Sequence, residues 1–247
     1  MKSNRPVALI TGAAKRLGAS FARLLHANEY NVVIHYRHSK TDAEALCQSL
    51  NDTRANSAVT IQADFENTPS LLKLIKEAHQ QWQRLDVLIN NASDYFPTKM
   101  GKTTEAQWQT LMASNLKAPY FLSQTATPYL RQTQGCIVNI SDVNALLPLK
   151  NYAVYCTAKA GLNMLTKALA LELGPEIRVN AVAPGPTLWP EGKNAPDEAT
   201  KLKSIDRTIL KRKGEPNDIA SAVIFLIQHS HITGHILNVD GGKSAFL

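Results

Sequence analysis

Short apolar runs alternate with amphipathic helical stretches along the whole chain, and this alternation constrains the fold more than any other feature. Residues 7–11, 31–36, 58–62, 86–90, 136–140, 178–183 and 235–242 read as strands. Between them lie helical patterns near 16–28, from 41, over 68–83, over 108–127 with an interruption near Asn115 and Pro119, through 155–173, and over 216–229. Strands that are apolar along their whole length, rather than alternately, are buried on both faces. Helices between such strands act as crossovers, which makes the sheet parallel and covers it on both sides.

The expectation is an α/β fold: one doubly wound Rossmann-type domain over 1–247, with a seven-stranded parallel sheet and helices on both faces. A chain of 247 residues with 44% apolar content can bury one large core. No run has the length and apolarity of a secretion signal or a membrane span, so a soluble cytoplasmic protein is expected. Cys47, Cys136 and Cys156 lack metal-ligand spacing and are odd in number. That fits unpaired thiols in a reducing compartment. The net charge of +7 is scattered, with its densest run at Lys211–Lys213. It suits attraction of a small phosphorylated or carboxylated molecule better than a nucleic acid, which needs a basic stripe. His229, His231 and His235 crowd one region without a ligand pattern, so no metal is expected.

In an open α/β sheet the ligand crevice lies at the carboxyl ends of the strands, where the strand order reverses. The loop after the first strand reads Thr11-Gly-Ala-Ala-Lys-Arg-Leu-Gly18. Glycines there let the backbone approach a diphosphate, and the following helix offers unpaired N–H groups. Arg16 stands where the usual fingerprint has its middle glycine, and Lys15 adds a second cation. The second strand ends in His35-Tyr36-Arg37-His38-Ser39, with no acid before Asp42 to hold a ribose hydroxyl. The Arg37 fork and the Ser39 hydroxyl suit a 2′-phosphate instead, which points to NADPH/NADP.

Tyr155 and Lys159 are four apart, so in a helix the phenol and ammonium share one face. The cation is expected to draw the phenol pKa down toward neutrality. Trp189 lies in a polar, proline-bearing segment near 186–212, expected to act as a substrate lid, and faces the substrate or pins the lid to the body.

These residues together resemble the short-chain dehydrogenase/reductase family over nearly the whole length: Thr11–Gly18, Asp64, Asn90-Asn91-Ala92-Ser93, Asn115, Tyr155/Lys159, Pro184-Gly185 and Asp240-Gly241-Gly242. The resemblance implies a cofactor site made by Gly12, Lys15, Arg16, Leu17 and Gly18, by Tyr36, Arg37, His38 and Ser39, and by Asp64 and Phe65. Asn91, Ala92, Ser93, Tyr155, Lys159, Pro184, Gly185 and Thr187 would complete it, with Asn90 along the cofactor path. It also implies that Lys159 holds the nicotinamide ribose and that Asn115 supports a water chain to that lysine. Two positions depart from the common pattern. Thirteen residues before Tyr155, where most members hold a serine, this chain has Asp142, with Ser141 one place earlier. Ser93 replaces the usual last glycine and is followed by Asp94-Tyr95-Phe96-Pro97. Both are similar to the pteridine reductase branch.

That branch implies NADPH-dependent reduction of a pterin, dihydropteridine or dihydrofolate. Asp142, Tyr155, Lys159 and Asn115 would be catalytic, and Arg16, Ser93, Tyr95, Asp142, Tyr155 and Trp189 would contact substrate. A carboxylate beside the phenol would repel a developing alkoxide yet could hydrogen-bond an amidine-like heterocycle. A homotetramer is implied by the resemblance, with the long helix carrying Tyr155 buried against another subunit and the tail 243–247 reaching a neighbour's site. Two alternatives stand beside this: a reductase of a carbonyl, such as a 3-oxoacyl thioester, and a non-catalytic NADP-binding regulatory protein.

Overall fold

The computed structural model describes residues 4–192 and 195–245. Seven strands form one parallel sheet in the order β3-β2-β1-β4-β5-β6-β7. They are β1 (Val7–Ile10), β2 (Asn31–Tyr36), β3 (Ala58–Gln62), β4 (Val87–Asn90), β5 (Cys136–Ile140), β6 (Arg178–Pro184) and β7 (Ile236–Val239). The reversal falls between β1 and β4, which opens the crevice above their carboxyl ends.

Two cores explain the continuous apolar strands. Ala8 and Ile10 of β1 face Phe21, Leu25, Leu46 and Val223, from α1 (Arg16–Ala27), α2 (Lys40–Thr53) and α8 (Pro216–Gln228). Val7 and Leu9 face the opposite core, with Leu71, Ile75, Leu122 and Leu169 from α3 (Thr68–Trp82), α5 (Ala118–Arg131) and α6 (Ala153–Leu173). Successive side chains on a strand point to opposite faces, so both faces must be apolar.

The helical stretch over 108–127 is interrupted where expected, near Asn115 and Pro119. A capping box between Thr104 and Gln107 starts α4 (Glu105–Met112), a π turn covers Ala113–Lys117, and α5 follows with Pro119 in its first turn. The Asn115 Nδ2 group donates to the Leu111 carbonyl at 3.0 Å, supporting the turn where its register changes. The last strand stops at Val239, short of the expected 242. Its chain turns because the Asp240 carboxylate accepts the N–H groups of Gly242 and Ser244, with Gly241 and Gly242 at φ +65° and +82°.

The segment expected to act as a lid holds a helix, α7 (Glu198–Asp206), capped by the Asp197 carboxylate on the Thr200 N–H. Lys193 and Asn194 of that segment, and Phe246 and Leu247 of the tail, lie outside the described residues. No described helix is long and apolar enough to cross a membrane.

Candidate active site

The loop after β1 is held open by side chains beneath it. Gly12 takes φ +61°, and a Cβ there would lie 3.0 Å from the Ala92 Cα, so glycine is required. Gly18 is tighter, since a Cβ would come within 2.3 Å of the Gly12 carbonyl oxygen. The Gly12 N–H donates to His35 Nδ1 at 3.0 Å, which leaves the ring proton on Nε2, 3.2 Å from the Ala63 carbonyl. Burial pushes the His35 pKa down to about 4. Its ring stacks on Phe65 at 4.7 Å, so the Phe65 side chain belongs to the core beneath the crevice.

Asn91 braces the same loop, its Nδ2 donating to the carbonyls of Thr11 and Gly12 at 2.7 and 3.1 Å. The Thr11 hydroxyl accepts the N–H groups of Asn91 and Ala92. Arg16 adopts φ +55°, the left-handed conformation that a glycine at this position would take without strain. The cap residue of α1, Lys15, makes no side-chain capping bond. The first-turn amides of a twelve-residue helix therefore face the crevice without a side-chain cap. Glycine-shaped backbone, an uncapped helix start and nearby cations fit the diphosphate of a dinucleotide.

Each of those cations has a carboxylate partner. Lys15 meets Asp42 at 2.8 Å, Arg16 meets Glu191 at 2.9 Å, and Arg37 meets Asp94 at 3.2 Å. Arg16 also donates to the carbonyls of Leu188 and Trp189, tying the glycine loop to the segment after β6. The half-buried Trp189 thus sits beside the crevice through its backbone. Ser39 stands at the start of α2 without a side-chain capping bond. His38 is exposed beside it, whereas Tyr36 and Leu17 pack partly against the first core. Asp64 accepts the Glu66 N–H, shaping the turn after β3.

On the other side of the reversal, β5 delivers Asp142 and α6 delivers Tyr155 and Lys159. The Tyr155 hydroxyl donates to Asp142 Oδ2 at 2.7 Å, and Asp142 Oδ1 accepts the Asn144 N–H. Lys159 donates to the Ile140 carbonyl at 2.8 Å and lies 5.7 Å from the Tyr155 ring centre. The expected fall in the Tyr155 pKa is corrected: burial, then the Asp142 charge, raise it well above 10. Lys159 is on the expected helix face, but its ammonium is directed to a backbone carbonyl, while the phenol donates its hydrogen bond to a carboxylate. Burial lowers the Lys159 pKa to about 8, against the Asp142 charge, which raises it.

Ser141 does not stand in for the missing serine. It is buried and donates to Asn163 of α6, pointing away from the phenol.

Tyr95 edges onto the Tyr155 ring at 4.8 Å and stacks on Tyr152 at 4.6 Å. Burial and the neighbouring Tyr152 hydroxyl push its own hydroxyl far above the usual range. Ser93 donates to Asn115 Oδ1 at 2.7 Å, and Asn115 Nδ2 also reaches the Asp94 carbonyl at 3.0 Å, so the π turn fixes the 93–94 loop. Asn90 points below the crevice, to Asn139 and Ser123. Pro184 closes β6; a Cβ on Gly185 would meet the Asp240 Cα at 2.6 Å, and Thr187 is buried on the Gly185 carbonyl.

Sequence reasoning missed His35 as the brace, along with Asp94, Tyr152 and Glu191. A histidine inside a strand that is otherwise apolar was the available signal for the first, because a buried imidazole needs partners for both nitrogens. The other three depend on contacts across 57, 57 and 175 residues of chain or on ring packing, which no local pattern encodes.

A family model described as enoyl-(acyl carrier protein) reductase matches residues 12–244. Pteridine reductase 1 of Leishmania tarentolae is 35% identical, over 97% of this chain and 96% of its own length. The 3-oxoacyl-[acyl-carrier-protein] reductase FabG of Staphylococcus epidermidis is 35% identical over 95% of this chain and 97% of its own. Its counterpart in Staphylococcus aureus is 36% identical, over 95% and 96%. With the crevice, the Tyr155/Lys159 pair and these full-length matches in place, the chain belongs to the short-chain dehydrogenase/reductase family and is an oxidoreductase.

Proposed function

We propose that the protein reduces a pterin or dihydropteridine, dihydrofolate or dihydromonapterin among them, to the tetrahydro form with NADPH. The observation that carries this is the Tyr155–Asp142 hydrogen bond, made where a carbonyl reductase of this family would hold a serine hydroxyl. The cofactor supplies the hydride. Asp142 presents a carboxylate to the N–H groups of an aminopyrimidine-like ring, and Tyr155 gives its hydroxyl proton to the ring nitrogen being reduced and is reprotonated from solvent. Lys159 keeps a positive charge beneath them and holds the ribose, while Asn115 fixes Ser93 at the cofactor's phosphates.

Tyr95, one face of which stacks on Tyr152, would turn its other face to a flat heterocycle, with stacking contributing about 0.5–1.5 kcal/mol beyond buried area. Arg16, on the cofactor loop and bonded to the segment after β6, couples that segment, acting as the lid near 186–212, to the bound ligands. Arg37 and Ser39 receive the 2′-phosphate. A homotetramer is the assembly proposed, and Met164, 65% exposed beside the apolar groove of Tyr120, Phe121 and Leu165, gives α5 and α6 an apolar face for one of its contacts.

The test follows NADPH absorbance with purified protein and dihydrobiopterin, dihydromonapterin, dihydrofolate and an acetoacetyl thioester. Turnover of at least one pterin, at a kcat/KM well above that for the thioester, is expected. Turnover of the thioester alone would overturn the reading.

A further inference from the structure

The three cations beside the crevice differ in how well water screens them from their carboxylates. In Lys15–Asp42 the side chains are 54% and 45% exposed, and in Arg16–Glu191 they are 40% and 84% exposed. Such pairs are exchanged for water or a phosphate at little cost. Arg37–Asp94 is different, at 34% and 23%.

Asp94 is also held in place. Its N–H donates to the Ser114 hydroxyl at 3.2 Å, and its carbonyl accepts Asn115 Nδ2 at 3.0 Å, so the π turn anchors its backbone on both sides. Arg37 is steadied by Gln62, whose side chain donates to the Arg37 carbonyl. Because β1 lies between β2 and β4, a contact from the end of β2 to the loop after β4 passes across the carboxyl end of β1. The end-on face of the guanidinium is occupied, with Nη1 donating to Asp94 Oδ2 and Nη2 to Oδ1.

We propose that Asp94 is a specificity-determining residue that limits the preference for a 2′-phosphorylated dinucleotide by competing for Arg37. This rests on the reading of Arg37 as the 2′-phosphate site. A phosphate that reaches Arg37 either displaces the anchored carboxylate or binds the remaining Nε edge with that carboxylate nearby. Both weaken binding of a dianion through lost donors or like-charge repulsion. A cofactor with a 2′-hydroxyl meets neither difficulty. Asp94 therefore narrows the gap between the two cofactors.

The experiment measures NADPH and NADH dissociation constants, by nucleotide fluorescence, for the full chain, D94N, R37A and the double variant. D94N keeps the shape of the side chain and one acceptor, and its thermal midpoint is checked against the parent. The expected result is NADPH bound roughly tenfold tighter in D94N, as for removal of one nearby like charge, with NADH within about twofold. Most of the gain should vanish in the R37A background. An NADPH-to-NADH ratio that stays the same or falls in D94N overturns the proposal. An equal loss of both cofactors in R37A alone overturns the phosphate reading itself, and the proposal with it, and is recognised without reference to D94N.

Discussion

The two halves of the crevice bury ionisable groups in opposite ways. On the β1–β2–β3 side, His35 lies under the glycine loop with one ring nitrogen on the Gly12 N–H and the other on the Ala63 carbonyl. Both partners are backbone, so the imidazole is neutral and has nothing further to exchange. On the β4–β5–β6 side, the Tyr155 phenol is bonded to the Asp142 carboxylate, while the Lys159 ammonium lies 5.7 Å from the phenol ring with its hydrogen bond on the Ile140 carbonyl. An imidazole satisfied by backbone at both nitrogens is a brace, whereas a phenol bonded to a carboxylate can hand a proton on.

The largest expected effect breaks the contrast on the reactive side. Tyr155→Phe removes the transferable proton but leaves the ring and its edge contact with Tyr95. Turnover should fall by about three orders of magnitude. NADPH affinity should stay within about twofold, since the lost hydroxyl bonds Asp142. Steady-state rates with a fluorescence titration check both, and a variant with the parent's rate removes Tyr155 from the relay.

A smaller change sharpens what the carboxylate does. Asp142→Ser restores the hydroxyl usual in the family but withdraws the charge that raises the phenol pKa. Pterin turnover should drop about a hundredfold. Unchanged pterin turnover, measured under the same conditions, would make Asp142 a second brace.

The same contrast explains what could be read from the chain. The sheet, its main helices and the shared face of Tyr155 and Lys159 were legible because they rest on local periodicity and spacing, whereas Asp142 stood out only through the family resemblance. Strands 31–36, 58–62 and 136–140 fall where their apolar runs place them. The direction of the Tyr155 pKa was not legible, since Y-x-x-x-K spacing fixes a face and says nothing of where the ammonium hydrogen bonds; the Ile140 carbonyl takes it. The break near Asn115 was legible, but its π geometry, with the Asn115 amide on the Leu111 and Asp94 carbonyls together, was not. The Arg16 departure from the glycine fingerprint was visible, but only the backbone shows that arginine keeps the left-handed conformation.

The smallest expected effect tests the brace. Folding lowers the His35 pKa from 6.5 to about 4, so between those values the unfolded chain binds a proton that the folded chain does not. Stability therefore rises with pH across this window, and His35 withdraws support as pH falls from 6.5 toward 4. The gap corresponds to ~3 kcal/mol at its low-pH end. Replacing His35 with Gln keeps an acceptor for the Gly12 N–H but does not titrate. Its urea midpoint at pH 7 should lie below the parent's, because the ring stacked on Phe65 is lost. From pH 6.5 to 4.5 its midpoint should fall less steeply than the parent's. Parallel slopes would show that the acid sensitivity belongs to the carboxylates, and that His35 is protonated under the loop without loosening it.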